Sequence, residues 1–359
     1  MSDGNIHLGN IHLDGGVHDG SLHVVTGAAG RTGLALCAEL KSRGYAVRAL
    51  AHRRNDIALS FLRQYADEIV IADIRKPEEL AGAFSGAAYV YHLAGIVSIA
   101  SAIDSDLYAV NVTGTENVIN ACLNCGVKRL VYTGTVHTLP FHDKTSVLKE
   151  MPRFDPGAVH GAYAVTKAQA SNLVLDAARD RKLDAVIGMP SGIVGGFELK
   201  RSNFGQMVAD VAERRLPVYL NGCYDFVDVR DVAKALVDLA EKGVKGESYI
   251  LSGHVVSVKD IVAMAARAAG VPPPKICLPL PLVAFFSYFA EWYAVLTKRT
   301  LMFTPYAIKV LGDNCNFSYE KINALTGYSP RAIEEAIGEQ VDFYFNVYKP
   351  QCMQTAKNG

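Results

Sequence analysis

The stretch Thr26–Gly33, Thr-Gly-Ala-Ala-Gly-Arg-Thr-Gly, decides the fold of this chain. It follows a short apolar run at 22–26 and opens a helical pattern. Its three glycines, Gly27, Gly30 and Gly33, suit a tight turn, a close approach of backbone to pyrophosphate, and close packing of helix on strand. The pyrophosphate then lies at the positive N-terminus of the helix. The stretch therefore predicts a turn that holds a dinucleotide.

Apolar runs alternate with helical patterns on either side of this turn. The runs predict strands at Leu22–Thr26, Tyr45–Ala51, Glu68–Ala72, Tyr89–Leu93, Leu130–Thr133, Ala185–Met189, Phe226–Val229 and Ser248–Leu251. Strands that alternate with helices indicate a parallel sheet with right-handed crossovers. We therefore predict an α/β fold, a doubly wound parallel sheet of the Rossmann type with a smaller, mostly helical C-terminal region that binds the substrate.

Four parts follow from this pattern. Residues 1–20 are polar and are predicted to form a disordered tail. Residues 21–190 are predicted to form the NAD(P)-binding domain that carries the catalytic residues. A substrate-binding region, interleaved with the last strands, is predicted at 191–349, and a second tail at 350–359.

Composition narrows the class of protein. The 359 residues include 36 Lys plus Arg and 36 Asp plus Glu, so the charge gives no indication of a nucleic-acid partner. Seven cysteines at irregular spacings are typical of reduced thiols in a cytoplasmic protein. Cys122 and Cys125 have no second pair at zinc-site spacing, so we predict no metal. The sequence is compatible with a homodimer.

One apolar stretch, 282–296, resembles a membrane-associated segment in its composition. It has 15 residues and one charge, which is too short for a comfortable bilayer span. We predict that it covers the substrate pocket. Peripheral contact with a membrane surface is the alternative.

Tyr163 precedes Lys167 by four residues on a predicted helix that runs to about Asp180. Residues at i and i+4 share a helix face. The Lys167 ammonium is therefore expected to favour the ionised form of the Tyr163 phenol and to lower its pKa. A phenol of lowered pKa beside a nicotinamide is the working part of a carbonyl reductase or an alcohol dehydrogenase. Together with the glycine turn, the pair predicts an NAD(P)-dependent enzyme.

The end of the second predicted strand bears on cofactor choice. A fold that prefers NAD usually has an acidic residue there, whereas this chain has His52, Arg53 and Arg54. Arginines pair with the 2′-phosphate that an acid repels. We therefore expect NADP(H) to be preferred, with NAD(H) as the alternative. Asp73, after the third strand, is expected to accept from the adenine amino group, unless it is a plain turn residue.

Several ordered motifs resemble those of the extended short-chain dehydrogenase/reductases, within the NAD-dependent epimerase/dehydratase superfamily. The resemblance spans residues 22–344. Besides the glycine turn and the Tyr163/Lys167 pair, the motifs are His92–Gly95, Asn111–Asn117, Val131–Thr135 and Phe226–Ala233.

The resemblance implies roles for particular residues. Tyr163 is the general acid for reduction or the base for oxidation. Lys167 lowers the pKa of the phenol and holds the nicotinamide ribose, and the Thr135 hydroxyl bonds the substrate oxygen. Besides Tyr163 and Lys167, the implied cofactor positions are Gly27, Ala29, Gly30, Arg31, Thr32, Gly33, His52, Arg53, Asp73, Ile74, Leu93, Ala94, Gly95, Pro190 and Ile193.

Departures from the motifs indicate a branch of the family. Sugar-nucleotide dehydratases carry an acidic pair after the catalytic threonine, where this chain has Val136 and His137. Many sugar-nucleotide epimerases carry a diphosphate-pairing arginine where this chain has Tyr224. The chain is therefore similar to dihydroflavonol reductases and 3β-hydroxysteroid dehydrogenases, which act on carbonyls or alcohols of apolar molecules. A nucleotide-sugar epimerase and a non-catalytic NADP sensor or scaffold stay open. We assign no role to His137.

Overall fold

The computed structural model describes residues 20–53, 57–98, 103–140, 145–281, 283 and 311–351. Arg54 lies outside these residues. So do residues 1–19 and 352–359 of the predicted tails, and the stretch 282–296 apart from Val283.

Seven parallel strands form the central sheet. They are β1 (Leu22–Thr26), β2 (Ala46–Ala51), β3 (Glu68–Ile71), β4 (Ala87–His92), β5 (Arg129–Thr133), β6 (Ala185–Pro190) and β10 (Ser248–Leu251). Their order is β10-β6-β5-β4-β1-β2-β3, with every pairing parallel. All seven strands were predicted, and no end differs by more than two residues. The predicted Rossmann-type α/β fold is confirmed.

Helices cover both faces of this sheet. The helices of the described residues are α1 (Arg31–Ser42), α2 (Ile57–Tyr65), α3 (Pro77–Phe84), α4 (Ser105–Tyr108), α5 (Gly114–Asn124), α6 (Ala162–Asp180), α7 (Asn203–Ala212), α8 (Val229–Lys242), α9 (Val258–Ala268), α10 (Glu320–Thr326) and α11 (Ile333–Phe343). Three of them, α7, α9 and α11, pack together in the C-terminal part. Successive strand residues point to opposite faces. Val24 therefore joins one buried cluster with residues of α3, α5 and α6, whereas Val25 joins another with residues of α1 and α8. None of the described helices is long and apolar enough to cross a membrane.

The chain changes direction across the sheet at β1. From β1 it proceeds to β2 and β3 on one side, and β4, β5 and β6 then extend the other side. Because all seven strands are parallel, their carboxyl ends share one edge. The crevice between β1 and β4 at that edge is the switch point where such sheets bind ligands.

The C-terminal part adds two small sheets. Strands β7 (Gly192–Val194), β9 (Cys223–Asp228) and β11 (His254–Ser257) form one, and β8 (Val218–Leu220) pairs with β12 (Ile276–Leu278). The predicted strand Phe226–Val229 was wrong at both ends. It begins at Cys223, and Asp228 ends it by accepting the Arg230 amide at 2.7 Å, which caps α8.

Two helix ends also have local causes. The predicted helix Asn203–Arg215 ends at Ala212, and Arg214 adopts a left-handed φ of 59°. The predicted cap of α9 is confirmed, because the Ser257 hydroxyl accepts the Asp260 amide at 3.1 Å.

Candidate active site

The glycine turn after β1 leaves no room for a side chain at Gly27 or Gly33. Gly27 has a φ of +67°, and a Cβ there would lie 2.6 Å from the Ala94 amide nitrogen. A Cβ on Gly33 would overlap the Gly27 carbonyl oxygen, which already accepts the Gly30 amide at 3.0 Å. The turn is thus a bare backbone cradle at the N-terminus of α1, where helix amides lack intrahelical partners. This geometry fits a bound pyrophosphate.

The segment after β4 lies against this cradle. The Leu93 amide donates to the Thr26 carbonyl oxygen, and the Ala94 amide donates to the Thr26 hydroxyl, both at 3.3 Å. Leu93, Ala94 and Gly95 therefore border the crevice at the switch point. The structure brings these three predicted cofactor residues together with those of the glycine turn.

Asn111 fixes the next part of this wall. Its side chain accepts the Ile96 amide at 2.8 Å and donates to the Ile96 carbonyl oxygen at 3.0 Å. The same amide group lies 3.2 Å from the Thr166 hydroxyl, which is on α6 beside Lys167. Asn111 thereby couples the loop after β4 to the helix of the predicted catalytic pair. Sequence reasoning noted its motif but gave this residue no role.

The residues predicted to bind the adenosine end of the cofactor include exposed ones. His52 and Arg53 follow β2 and are solvent-exposed. The Asp73 carboxylate accepts from the Arg75 guanidinium at 2.6 Å, and this interaction lowers the pKa of Asp73. Ile74 packs closely against Gly114. A Cβ added to Gly114 would lie 2.6 Å from the Cδ1 atom of Ile74. Asp73 therefore already has a strong partner, as a turn aspartate would.

Lys167 is buried at the carboxyl end of β5. Its Nζ donates to the Thr133 carbonyl oxygen at 2.6 Å and lies 4.2 Å from the centroid of the Tyr132 ring. The residue is only 6% exposed, and burial lowers the pKa of the amine to about 7. Close to neutral pH the amine of the cofactor-free protein is therefore divided between its charged and neutral forms.

Thr135 and Tyr163 meet through a third residue, His137. Thr135 caps a short 3₁₀ turn, Val136–Thr138, where its hydroxyl accepts the His137 amide at 3.3 Å. The His137 ring then lies edge-on to the half-buried ring of Tyr163, with centroids 6.2 Å apart. His137 thus contacts the predicted hydroxyl through its main-chain amide and the predicted phenol through its ring.

The other face of His137 contacts β9. Its Nε2 atom and the Tyr224 hydroxyl are 3.2 Å apart, and the two rings stack at 5.9 Å with an angle of 14°. Burial lowers the pKa of His137 to about 4, so the ring is neutral at physiological pH. Sequence reasoning placed His137 near the pocket without a role and used Tyr224 only as a missing arginine.

A second neutral histidine lies beneath the site. His92, at the end of β4, is fully buried between the hydroxyls of Thr26 (2.8 Å from Nδ1) and Thr115 (3.1 Å from Nε2). Burial lowers its pKa to about 3. Both ring nitrogens are therefore occupied by neutral partners. Sequence reasoning recorded this residue only as part of a motif.

The remaining predicted positions lie across the crevice. Pro190 ends β6 beside Leu251, and Ile193 lies in β7. The Ile193 carbonyl oxygen accepts from the Arg31 guanidinium at 2.7 Å, and Arg31 also forms an ion pair with the buried Glu198. The Arg31 side chain therefore fastens the glycine turn to the C-terminal part of the chain, a contact that the sequence did not indicate.

No group of three His, Cys, Asp or Glu side chains in the described ranges is arranged to hold a metal ion.

The chain is similar to proteins of known family. The family model described as "NAD dependent epimerase/dehydratase family" matches residues 23–252. Sterol demethylase protein B of Methylococcus capsulatus is 28% identical over 326 residues, covering 89% of this chain and 97% of that protein. The 3beta-hydroxysteroid-dehydrogenase/decarboxylase isoform 1 of Arabidopsis thaliana is 28% identical over 319 residues, 82% of this chain and 70% of that protein.

A solved structure has a similar fold. The crystal structure of gox2253 is 28% identical and superimposes with a TM-score of 0.79, covering 91% of this chain and 98% of that one.

Proposed function

Because the chain belongs to the NAD dependent epimerase/dehydratase family, we propose that it transfers a hydride between a nicotinamide cofactor and a carbonyl or secondary alcohol of an apolar substrate. The chain is an oxidoreductase, and the dehydrogenase-like branch predicted from its sequence is confirmed by its relatives. The observation that carries the finer proposal is the neutral, aromatic neighbourhood of Tyr163, formed by His137 and Tyr224.

The residues fit the cofactor in three places. Gly27 and Gly33 form the backbone cradle for the pyrophosphate, and Leu93 with Ala94 borders it. Pro190 lies across the crevice at the end of β6. When bound, the nicotinamide supplies or accepts the hydride.

In reduction, the Tyr163 phenol donates a proton to the carbonyl oxygen, and in oxidation it accepts one from the alcohol. The Thr135 hydroxyl bonds the same oxygen and orients it. Such positioned proton transfer contributes about 10²–10⁴-fold in rate. Lys167 is tied to Thr133 and, in its protonated form, favours the ionised phenol.

A series of buried aromatic rings continues from His137 into the C-terminal part. Tyr224 contacts Phe226 and Phe317 at centroid distances of 5.8 and 6.5 Å, and Phe226 contacts Phe204 at 5.0 Å. Such a wall favours an apolar, ring-containing substrate. The names of the relatives above, a sterol demethylase protein and a 3β-hydroxysteroid dehydrogenase, agree with this class.

We propose NADP(H) as the preferred cofactor. The support is the pair His52 and Arg53 at the end of β2, both exposed and in a position to meet a 2′-phosphate. Both residues leave the strand at the sheet edge that carries the glycine turn.

A substrate panel tests the proposal. Steroid ketones and alcohols, flavanone-type ketones, aromatic aldehydes and UDP- and GDP-sugars are each incubated with NADPH, NADH or their oxidised forms. Nicotinamide absorbance is recorded and the products are separated by chromatography, since epimerisation changes neither the net redox state of the cofactor nor the mass of the sugar nucleotide. We expect turnover of apolar carbonyls or alcohols. Conversion of sugar nucleotides alone would overturn the proposal in favour of an epimerase.

A further inference from the structure

We infer that His137 and Tyr224 form a specificity-determining pair, which binds a neutral polar group of the substrate beside Tyr163 and discriminates against anionic substrates. The inference rests on the proposed function, because it assigns the substrate class of that same site.

The pair is built into the catalytic geometry. His137 is two residues after Thr135, and its amide bonds the Thr135 hydroxyl at 3.3 Å. Its ring meets Tyr163 edge-on at 6.2 Å. The backbone of His137 therefore contacts one of the two groups that meet the reacting oxygen, and its ring contacts the other. His137 is thus placed to position the reaction as well as to contact the substrate.

Tyr224 fixes the imidazole from the opposite side. The planes of the two rings are nearly parallel, with an angle of 14°, and the hydroxyl lies 3.2 Å from Nε2. Two further rings, Phe226 and Phe317, meet Tyr224 at angles of 74° and 73°. Tyr224 is only 7% exposed, so its ring has little freedom to turn away. The pair therefore keeps one orientation.

Charge decides what the pair accepts. Burial lowers the pKa of His137 to about 4, so the imidazole carries no charge at neutral pH. Tyr224 adds a hydroxyl and no basic group. Phosphate and carboxylate groups need cationic or multiple charge-assisted donors when they leave water. A neutral phenol–imidazole pair instead suits a hydroxyl or keto oxygen, because a phenol can both donate and accept.

The test compares two probes that differ by one charged group, dehydroepiandrosterone and its 3-sulfate. Binding is measured by calorimetry on the NADPH-loaded Tyr163→Phe protein, which keeps the ring beside His137 but has no phenol to transfer a proton. We expect the neutral steroid to bind at least about tenfold more tightly than the sulfate.

Three variants in this background separate the pair from its surroundings. Tyr224→Arg should narrow or reverse the preference by about tenfold or more, through a new charge-assisted bond to the sulfate. Tyr224→Phe should weaken binding of the neutral steroid several-fold while leaving NADPH affinity unchanged. Val244→Arg adds the same charge at an exposed residue after α8. It should change neither the preference for the steroid over the sulfate nor the affinity for the neutral steroid.

A double-mutant cycle then tests the pairing itself. Because His137 and Tyr224 share one hydrogen bond, His137→Asn and Tyr224→Phe should be non-additive in steroid affinity. Equal affinity of the two probes, or an unchanged ratio in Tyr224→Arg, would overturn the inference, as would strictly additive losses. Because these are binding ratios, they stand apart from the substrate panel, whose failure would instead remove the proposed reaction.

Discussion

The Nζ atom of Lys167 donates a 2.6 Å hydrogen bond to the carbonyl oxygen of Thr133, which ties the first turns of α6 to the end of β5. Burial of this amine makes the stability of the cofactor-free protein depend on pH. Its pKa is about 7 in the folded protein against 10.5 for an unperturbed lysine. Between these values the unfolded chain binds a proton that the folded protein does not, so this residue makes stability rise with pH.

Lys167→Met should remove that slope. From about pH 7 to about pH 9, the free energy of unfolding of the unmodified protein should rise by about 2 kcal/mol more than that of the variant. Urea unfolding without cofactor at both pH values measures the difference. Parallel pH profiles for the two proteins would show that Lys167 keeps an ordinary pKa.

The contact between Gly27 and Ala94 predicts a localised effect on cofactor binding. Gly27→Ala would place a methyl group 2.6 Å from the Ala94 amide nitrogen. Gly86→Ala is a matched control, because Gly86 has a similar φ of +74° but nothing within 4 Å of its would-be Cβ. The control should lose about 1 kcal/mol of stability from backbone strain alone.

Gly27→Ala should lose more stability than Gly86→Ala and should also weaken NADPH binding at least about tenfold. Thermal unfolding and fluorescence titration measure the two quantities. If both variants bound NADPH as tightly as the unmodified protein, the turn would not be the pyrophosphate cradle.

The ion pair of Arg31 and Glu198 should matter for stability because it is buried. Glu198 is 7% exposed and also accepts from the Ser202 hydroxyl at 2.6 Å and the Gln340 amide at 2.9 Å. Glu198→Ala leaves Arg31 without its anionic partner and should cost about 3–5 kcal/mol in unfolding free energy.

An exposed ion pair provides the comparison. Lys149 and Glu320 are 64% and 80% exposed, so Lys149→Ala should cost less than about 1 kcal/mol. Chemical denaturation of both variants gives the two values. Similar costs would mean that the Arg31–Glu198 pair does not fasten the glycine turn to the C-terminal part.

Cofactor preference should depend on Arg53. The unmodified protein should bind NADPH more tightly than NADH, and Arg53→Asp should narrow or reverse this preference because the new carboxylate repels the 2′-phosphate. Lys259→Asp, the same kind of charge change at an exposed residue of α9, is the control and should leave the preference intact. Tighter binding of NADH by the unmodified protein contradicts the proposal.

The sequence was sufficient for the parts of the molecule that local patterns determine. Most strands of the central sheet are largely apolar because both faces of the sheet are covered, and the glycine turn follows from backbone space alone. Chain order then puts the glycine turn and Leu93–Gly95 at one edge. These features need no knowledge of distant contacts.

Contacts between remote segments could not be predicted in this way. His137 and Tyr224 are 87 residues apart, and their stacking depends on how β9 packs against the turn after β5. Arg31 reaches a carbonyl oxygen 162 residues away. The low pKa values of His92, His137 and Lys167 follow from burial, which a sequence pattern does not measure.

The proposed reaction requires that Tyr163 carries the proton beside the nicotinamide. The most direct measurement is the turnover number of Tyr163→Phe on a substrate from the panel, together with its affinity for NADPH. We predict that turnover falls by about 10²–10⁴-fold while NADPH affinity stays within about twofold, because only the transferable proton is lost. Near-full turnover in Tyr163→Phe would contradict the account and assign the proton to another group.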